Sequence, residues 1–232
     1  MSRQTATCRT CGTSFDFERP DVLPAFVPAS WAPDECDGCA GKRYAAEEAQ
    51  VKDLALEVCN IPPRYQRLGF DAFTPSTPSQ QRALELCRDH AAEGVFLYGP
   101  AGCGKTHLVA AAVAAATEGS LFVGSAELVD DLKAGFDGGG RSLFERACRV
   151  PLLAIDDLGV EHMTDFVGER LYTLLNECWN RGAALLVTTN CSPSDIADRI
   201  GPGAASRVVG LCAYRLAVDG PDRRFDLADR PR

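Results

Sequence analysis

The chain has 232 residues, a formal net charge of −8 and 46% hydrophobic residues, enough for one large domain or a core domain with a small appendage. The acidic balance does not support broad electrostatic binding to DNA, and no apolar run approaches the roughly 18 to 20 residues of a membrane span. Eleven cysteines and no apolar signal segment at the N-terminus predict a cytoplasmic protein whose thiols are metal ligands or buried side chains.

Two Cys-x-x-Cys pairs mark the first forty residues, which are rich in proline and poor in periodic apolar residues. Cys8, Cys11, Cys36 and Cys39 have the spacing of a structural zinc ribbon, in which four thiolates hold one ion and close a fold too small for its own core. An iron–sulfur cluster is the competing interpretation, but such clusters tend to use closer or irregular spacing. The pairs therefore predict a Zn²⁺-binding module over residues 1–43.

Four aromatic residues between the cysteine pairs have no evident core to fill: Phe15, Phe17, Phe26 and Trp31. On a small scaffold held by a metal ion, exposed aromatics suit a protein-binding surface. The alternative is that they pack under the ribbon or against the rest of the chain.

A helical linker is predicted over residues 44–60, because apolar residues recur there at a spacing near 3.6 until the pair Pro62-Pro63 interrupts them. Beyond Pro78, near-continuous apolar segments alternate with helical ones, which is typical of an α/β fold with a parallel sheet covered on both faces. The predicted strands are 94–99, 121–125, 152–156, 184–189 and 212–218. The predicted helices are 104–117, 126–135, 141–149, 166–181 and 194–199.

The stretch GPAGCGKT, which begins at Gly99, lies between a predicted strand and a predicted helix, as a phosphate-binding loop must. Gly99, Gly102 and Gly104 allow the backbone to curl so that successive N–H groups face phosphate oxygens. Lys105 is expected to reach the β- and γ-phosphates of ATP, and the Thr106 hydroxyl to bind Mg²⁺. The predicted ATP-binding set also includes the intervening and following residues Pro100, Ala101, Cys103 and His107.

Polar side chains follow two further strands. Asp156 ends the apolar segment that starts at Leu152, where it is expected to hold Mg²⁺ largely through water. Asp157 is expected to polarise the attacking water as a general base. Asn190 follows the 184–189 strand and can orient that water opposite the γ-phosphate. An ordinary solvated strand end is the alternative for each of them.

Together these stretches resemble the AAA+ ATPases, and among them the family of DnaC and DnaI helicase loaders and IstB transposition helpers. The resemblance covers about residues 61–224 and rests on IPPRY, LYGPAGCGKTHL, LLAIDDLG, the VTTN strand end and the pair Ser206-Arg207. It implies an AAA+ P-loop NTPase core with a five-stranded parallel sheet over residues 61–220, preceded by the small four-cysteine zinc ribbon. Residues 221–232 are then a C-terminal tail, too short for a helical lid.

The resemblance also assigns roles to single residues. In the family, the arginine of the Ser-Arg pair enters the nucleotide site of the neighbouring subunit, which implies self-association through Arg207 in trans; a surface ion pair is the alternative. Asp157 stands where the wider AAA+ group often has glutamate, so its reach to water is shorter and turnover is expected to be slower. Cys178 stands where the loaders tend to carry an arginine.

Residues 125–136 lie where the loaders carry a helix that touches single-stranded DNA, so Lys133 and Phe136 are candidates for contacting bases. A plain core helix is the alternative. The resemblance implies that the protein is an ATP-dependent loader of the replicative helicase. Such a loader is expected to contact single-stranded DNA and not to bind a membrane. A transposition helper that binds duplex DNA and a nucleotide-gated adaptor with little hydrolysis are the other two interpretations.

Overall fold

The computed structural model describes residues 2–19, 32–116, 119–134, 142–160 and 163–223. The chain forms two compact units, residues 1–54 and 55–232. The predictions for Phe26, Trp31 and Phe136 lie outside the described residues. The finer domain boundaries expected from the sequence stay predictions.

The described part of the N-terminal unit contains a hairpin and the start of a long helix. Strand β1 (Ser2–Thr7) pairs antiparallel with β2 (Ser14–Arg19), and the first cysteine pair lies in the connection between them. Helix α1 (Asp37–Val58) has Cys39 in its first turn and begins earlier than the predicted linker. The hairpin is not predicted from the sequence, because β1 is polar and the apolar alternation of β2 is limited to Phe15 and Phe17.

Five parallel strands form the sheet of the C-terminal unit in the spatial order β4, β5, β6, β3, β7. They are β3 (Val95–Tyr98), β4 (Ser120–Gly124), β5 (Leu152–Asp156), β6 (Ala184–Thr189) and β7 (Tyr214–Ala217). All five strand predictions are confirmed to within two residues at each end. The order places β6 between β3 and β5, so the three strands that lead to the candidate residues end side by side.

Helices surround this sheet, and three of them are not predicted from the sequence. They are α2 (Pro63–Gln66), α3 (Pro78–Asp89), α4 (Lys105–Ala115), α5 (Ser125–Ala134), α6 (Leu143–Ala147), α7 (Asp165–Arg181), α8 (Ile196–Ile200) and α9 (Pro202–Leu211). The unpredicted α2, α3 and α9 each begin at a proline, a residue that fits the first helical position because the N–H it lacks has no partner there. Within the described ranges, no helix is long and apolar enough to cross a membrane.

Side chains of the strands alternate between two apolar cores, one on each face of the sheet. In β6, Leu185 and Val187 belong to the core with α5, α7 and α9, while Ala184 and Leu186 belong to the core with α3 and α4. Burying a leucine or valine fully contributes roughly 1.5–3 kcal/mol, so both faces favour apolar residues. In α7, five side chains at helical spacing are all buried against the sheet: Val167, Leu171, Leu174, Leu175 and Cys178.

Candidate nucleotide-binding site and cysteine cluster

The predicted phosphate-binding loop connects β3 to α4. Gly104 has a φ of 100°, which L side chains rarely adopt, and a Cβ there would stand 2.4 Å from Phe73 Cε2. Helix α4 starts at the next residue, so its free N–H groups face the loop. The backbone therefore has the form of an anion site, in which unpaired N–H groups and the helix dipole attract phosphate.

Lys105 is the first residue of α4 and is 5% exposed, because its side chain folds back onto the loop. Its ammonium group donates hydrogen bonds to the carbonyls of Gly99, at 2.9 Å, and Pro100, at 2.8 Å. It also donates to Oδ1 of Asn190 at 3.1 Å, a residue that follows β6, the strand paired with β3. The fold thus brings together a lysine and an asparagine that are 85 residues apart in the chain. Phosphate oxygens of a bound nucleotide could replace the two carbonyls as hydrogen-bond acceptors, so the ammonium group of Lys105 would keep its partners.

The two aspartates at the end of β5 are fixed by Thr188 of β6. The Thr188 hydroxyl donates to Asp156 Oδ1 at 2.6 Å and accepts from the backbone N–H of Asp157 at 2.9 Å. Burial raises the pKa of Asp156, while hydrogen bonds from Thr188 and Thr106 lower it. Thr106 is thus among the groups near Asp156, and their sharing of Mg²⁺ stays a prediction. The positioning role of Thr188 is missed from the sequence, although hydroxyls at the end of a buried strand are its signal.

Asp157 has a φ of 54°, in the left-handed region. Aspartate occupies that region several times more often than most residues, because its short side chain bonds locally. The conformation places Asp157 in the wall of the pocket together with Lys105, Thr106 and Asn190. Asp156 is half-buried and does not line this pocket, whereas Asp157 is exposed in its wall. The two neighbouring carboxylates therefore have different surroundings, and only Asp157 faces water in the pocket.

Asp157→Asn is expected to slow ATP hydrolysis about a hundredfold and to leave ATP binding nearly unchanged, because it removes a general base but no phosphate contact. Steady-state hydrolysis and titration with a fluorescent ATP analogue measure the two effects. Asp130→Asn, at an exposed position of α5, is the matched control. Hydrolysis at the parental rate would show that another group activates the water.

Three residues outside the predicted set also line the pocket: Tyr65, Leu68 and Arg223. Tyr65 belongs to the IPPRY stretch, and the pattern of that stretch does not by itself assign a role to the tyrosine. His107, which was predicted, lies in the same wall, with Nε2 3.0 Å from the Gly69 carbonyl oxygen. Its ring meets Phe73 edge-on, with centroids 5.4 Å apart. The segment before the core therefore forms one side of the pocket.

Arg223 reaches the pocket because the chain after β7 folds back on the loop. Its backbone N–H donates to the Gly102 carbonyl at 3.1 Å. Its guanidinium group lies 4.4 Å from the centroid of the Phe73 ring and donates to Gln80 Oε1 at 2.9 Å and to the Thr74 carbonyl. Nothing in the local sequence distinguishes Arg223 from its neighbours. Only the folded chain brings this cation to the phosphate-binding loop.

Arg207 lies on α9, half-buried, and does not line the pocket of its own chain. Among the described residues it forms no ion pair, so the surface-pair alternative has no support there. This placement is compatible with a role in a neighbouring subunit, and that role stays a prediction.

Helix α5 packs on the sheet as part of the core, through Leu128, Val129 and Leu132. Asp131 accepts hydrogen bonds from the first backbone N–H groups of α6 and so caps that helix. Lys133 is exposed. The packing agrees with the core-helix alternative, and the DNA contact of Lys133 stays a prediction.

The four predicted metal ligands meet in space. Sulfur atoms of Cys8, Cys11, Cys36 and Cys39 all lie within 4.8 Å of one another, and Cys11 Sγ is 3.9 Å from Cys36 Sγ. Four sulfurs about 2.3 Å from one zinc ion would stand about 3.8 Å apart, so the spacing fits a tetrahedral site. No disulfide links them. The second pair lies at the start of α1 and not in a second hairpin, so the ribbon is completed by a helix.

The surroundings of the cluster favour the thiolate form of Cys8 and disfavour that of Cys39. Backbone N–H groups of Cys36 and Cys11 lower the pKa of Cys8 to about 6. The side chains of Cys11 and Cys36 raise the pKa of Cys39 to about 12, because four nearby sulfurs cannot all carry charge without a cation. A divalent metal ion would remove this conflict by neutralising the ligands.

Comparison with known proteins agrees with this geometry. The chain matches the model of the IstB-like ATP binding protein family over residues 72–200. It is 26% identical to the chromosomal replication initiator protein DnaA of Enterococcus faecalis, over 89% of this chain and 46% of that protein. It is 32% identical to a putative ATP-binding protein in an insertion sequence of Mycobacterium tuberculosis, over 58% of this chain and 57% of that protein. The chain thus spans about half the length of these relatives.

A solved structure of the DnaC helicase loader has a TM-score of 0.58 and 26% identity to this chain, covering 68% of this chain and 100% of that one. The loop after β3, the acidic end of β5 and the polar end of the intervening β6 define a P-loop nucleotide-binding core of the AAA+ class. The chain belongs to the IstB-like ATP binding protein family, whose model covers more than half of it. The predicted fold class and family resemblance are confirmed.

Proposed function

We propose that the protein is an ATP-dependent loader of the replicative DNA helicase. The observation that carries this proposal is the likeness of its core to the whole DnaC helicase loader chain, with a four-cysteine module added before the core. In this proposal the core binds and hydrolyses ATP, the module binds Zn²⁺ and contacts the helicase, and the protein works on single-stranded DNA in the cytoplasm.

The pocket residues support a defined division of labour. Lys105 would bind the terminal phosphates, Asp157 would take a proton from the attacking water, and Asn190 would orient that water. Thr106 and Asp156 would hold Mg²⁺, which neutralises charge on the transferring phosphoryl group. Arg207 would complete the site of a neighbouring subunit, so activity would require self-association.

A transposition helper is the second candidate, favoured by the family model and by the relative in an insertion sequence. The two functions differ in partner and in DNA. A loading assay would combine the full chain, ATP, the replicative helicase and circular single-stranded DNA, and would measure helicase retained on the circle. ATP-dependent retention supports the loader. Preference for duplex DNA, with no capture of helicase, would support the transposition helper instead. Capture of the helicase without ATP hydrolysis would support the nucleotide-gated adaptor.

The double variant Cys36→Ser, Cys39→Ser is expected to lose its zinc, from one ion per chain to none, and to lose helicase capture while ATP hydrolysis persists. Two of the four ligands are removed, so the remaining pair cannot close the tetrahedral site. Metal analysis and helicase pull-down with the full chain measure both effects.

The matched control is Cys148→Ser, Cys191→Ser, which changes two partly exposed cysteines outside the cluster. The control should retain the metal and the partner. A parent protein without zinc, or a metal-free variant that still captures the helicase, would refute this role of the module. Loss of hydrolysis together with the metal would show that the module supports the ATPase core.

A further inference from the structure

Two aromatic side chains of α7 lie on the protein surface against α9. Tyr172 is 40% exposed and Trp179 is 47% exposed, and they are seven residues apart, about two helical turns. A Cβ added at Gly203 would stand 3.3 Å from Tyr172 Cδ2, and one at Gly210 would stand 2.9 Å from Trp179 Cζ3. The two glycines of α9 have the same separation of seven residues. Each ring therefore lies directly on the backbone of a glycine in the neighbouring helix.

Arg207 lies between the two rings. Its guanidinium carbon is 5.9 Å from the centroid of Tyr172 and 5.5 Å from that of Trp179, within the range of cation–π attraction. The contacts engage the guanidinium through the ring faces and involve no acceptor oxygen. Because Arg207 has no ion pair among the described residues, its N–H donors stay available for an anion.

We propose that Tyr172 and Trp179 are positioning residues that hold Arg207 in the orientation in which it enters the neighbouring subunit's ATP site. This inference rests on the proposed trans role of Arg207. A long, flexible arginine side chain must be ordered before it can bind a phosphate oxygen, and the rings order it before the subunits meet. A carboxylate partner would fix the side chain equally well, but it would occupy the donors that the phosphate needs.

The alternative is that the exposed rings contribute only contact area between subunits. The positioning role and the contact role predict different ATP hydrolysis rates at saturating protein concentration. A contact residue changes the concentration at which hydrolysis reaches its maximum, whereas a positioning residue lowers the maximum itself. ATP affinity should be unaffected in both cases, because neither ring lines the nucleotide pocket.

Trp179→Ala and Tyr172→Ala are expected to lower the maximal hydrolysis rate about tenfold at saturating full-length protein and ATP. Trp179→Phe should recover most of the rate, because a ring face remains over the guanidinium. Gly210→Ala keeps both rings but displaces Trp179, since the added methyl group would overlap it. It should lower the rate severalfold without loss of helix stability. Phe166→Ala, at another exposed aromatic of α7, is the matched control and should match the parent.

Arg207→Ala, assayed in parallel, separates the two hypotheses. If Arg207→Ala is impaired but both ring variants reach the parental maximum at high protein concentration, the positioning role is wrong and the trans role stands. If Arg207→Ala hydrolyses ATP like the parent, the trans role itself is wrong. Reduced maxima with unchanged ATP affinity, and recovery by Trp179→Phe, would support the positioning role.

Discussion

Lys105→Ala should raise the dissociation constant for ATP by about a hundredfold, because it removes the charged hydrogen-bond donor that faces the terminal phosphates. In the structure the ammonium group is held by two loop carbonyls and Asn190, within hydrogen-bonding distance of each. The loop is therefore built around this cation. Its loss leaves three acceptors without their donor and phosphate without a counter-charge.

Titration with a fluorescent ATP analogue measures this effect, and thermal unfolding checks that the variant folds. The matched control is Lys133→Ala, which removes an exposed lysine of α5. It should bind ATP like the parent. Unchanged affinity in a folded Lys105→Ala protein would overturn the assignment of the loop.

Arg207→Ala should lower ATP hydrolysis about a thousandfold while ATP binding stays near the parental level, the scale expected when an arginine that stabilises transition-state charge is lost. The physical reason is its position on α9, outside the pocket of its own chain. Its charge can assist hydrolysis only at a site supplied by another subunit. The parent's specific activity should accordingly rise with protein concentration.

Mixing variants tests the trans arrangement directly. Arg207→Ala has an intact pocket, and Asp157→Asn has an intact arginine. Subunits of the two kinds should form sites that combine both intact parts, so the mixture should hydrolyse ATP faster than either variant alone. Arg215→Ala changes an arginine of β7, the strand that follows α9, and should hydrolyse ATP at the parental rate. Specific activity that does not depend on protein concentration would contradict any trans arrangement.

The core of the fold could be predicted from the sequence because its signals are local. The strands are buried on both faces, so near-continuous apolar segments such as Leu185 to Val187 mark them regardless of their neighbours. The loop before α4 depends on glycine and lysine at fixed spacing in adjacent positions. The chain order of Lys105, Asp156 and Asn190 then indicated one site, because parallel strands end at the same edge of a sheet.

Other elements could not be predicted because their signals are weak or ambiguous. A proline indicates a break as readily as a helix start, so α9, which carries Arg207, is absent from the predicted helices. The hairpin of the N-terminal unit carries the first cysteine pair in its connection, and its apolar alternation is confined to one short strand. Spacing alone predicted which four cysteines meet, but not that the second pair would lie at the start of a helix.

By itself, the sequence determined the chemistry that is available: a phosphate loop, an acidic strand end, a polar strand end and four thiols with metal-ligand spacing. Tertiary structure alone decided which distant side chains join that chemistry. Thr188 positions both aspartates, Arg223 returns to the loop, and Tyr172 and Trp179 enclose Arg207. These contacts depend on the order of strands and the packing of α7 on α9. Motif patterns record spacing within a segment, whereas packing between segments is set by the two cores that bury the whole sheet.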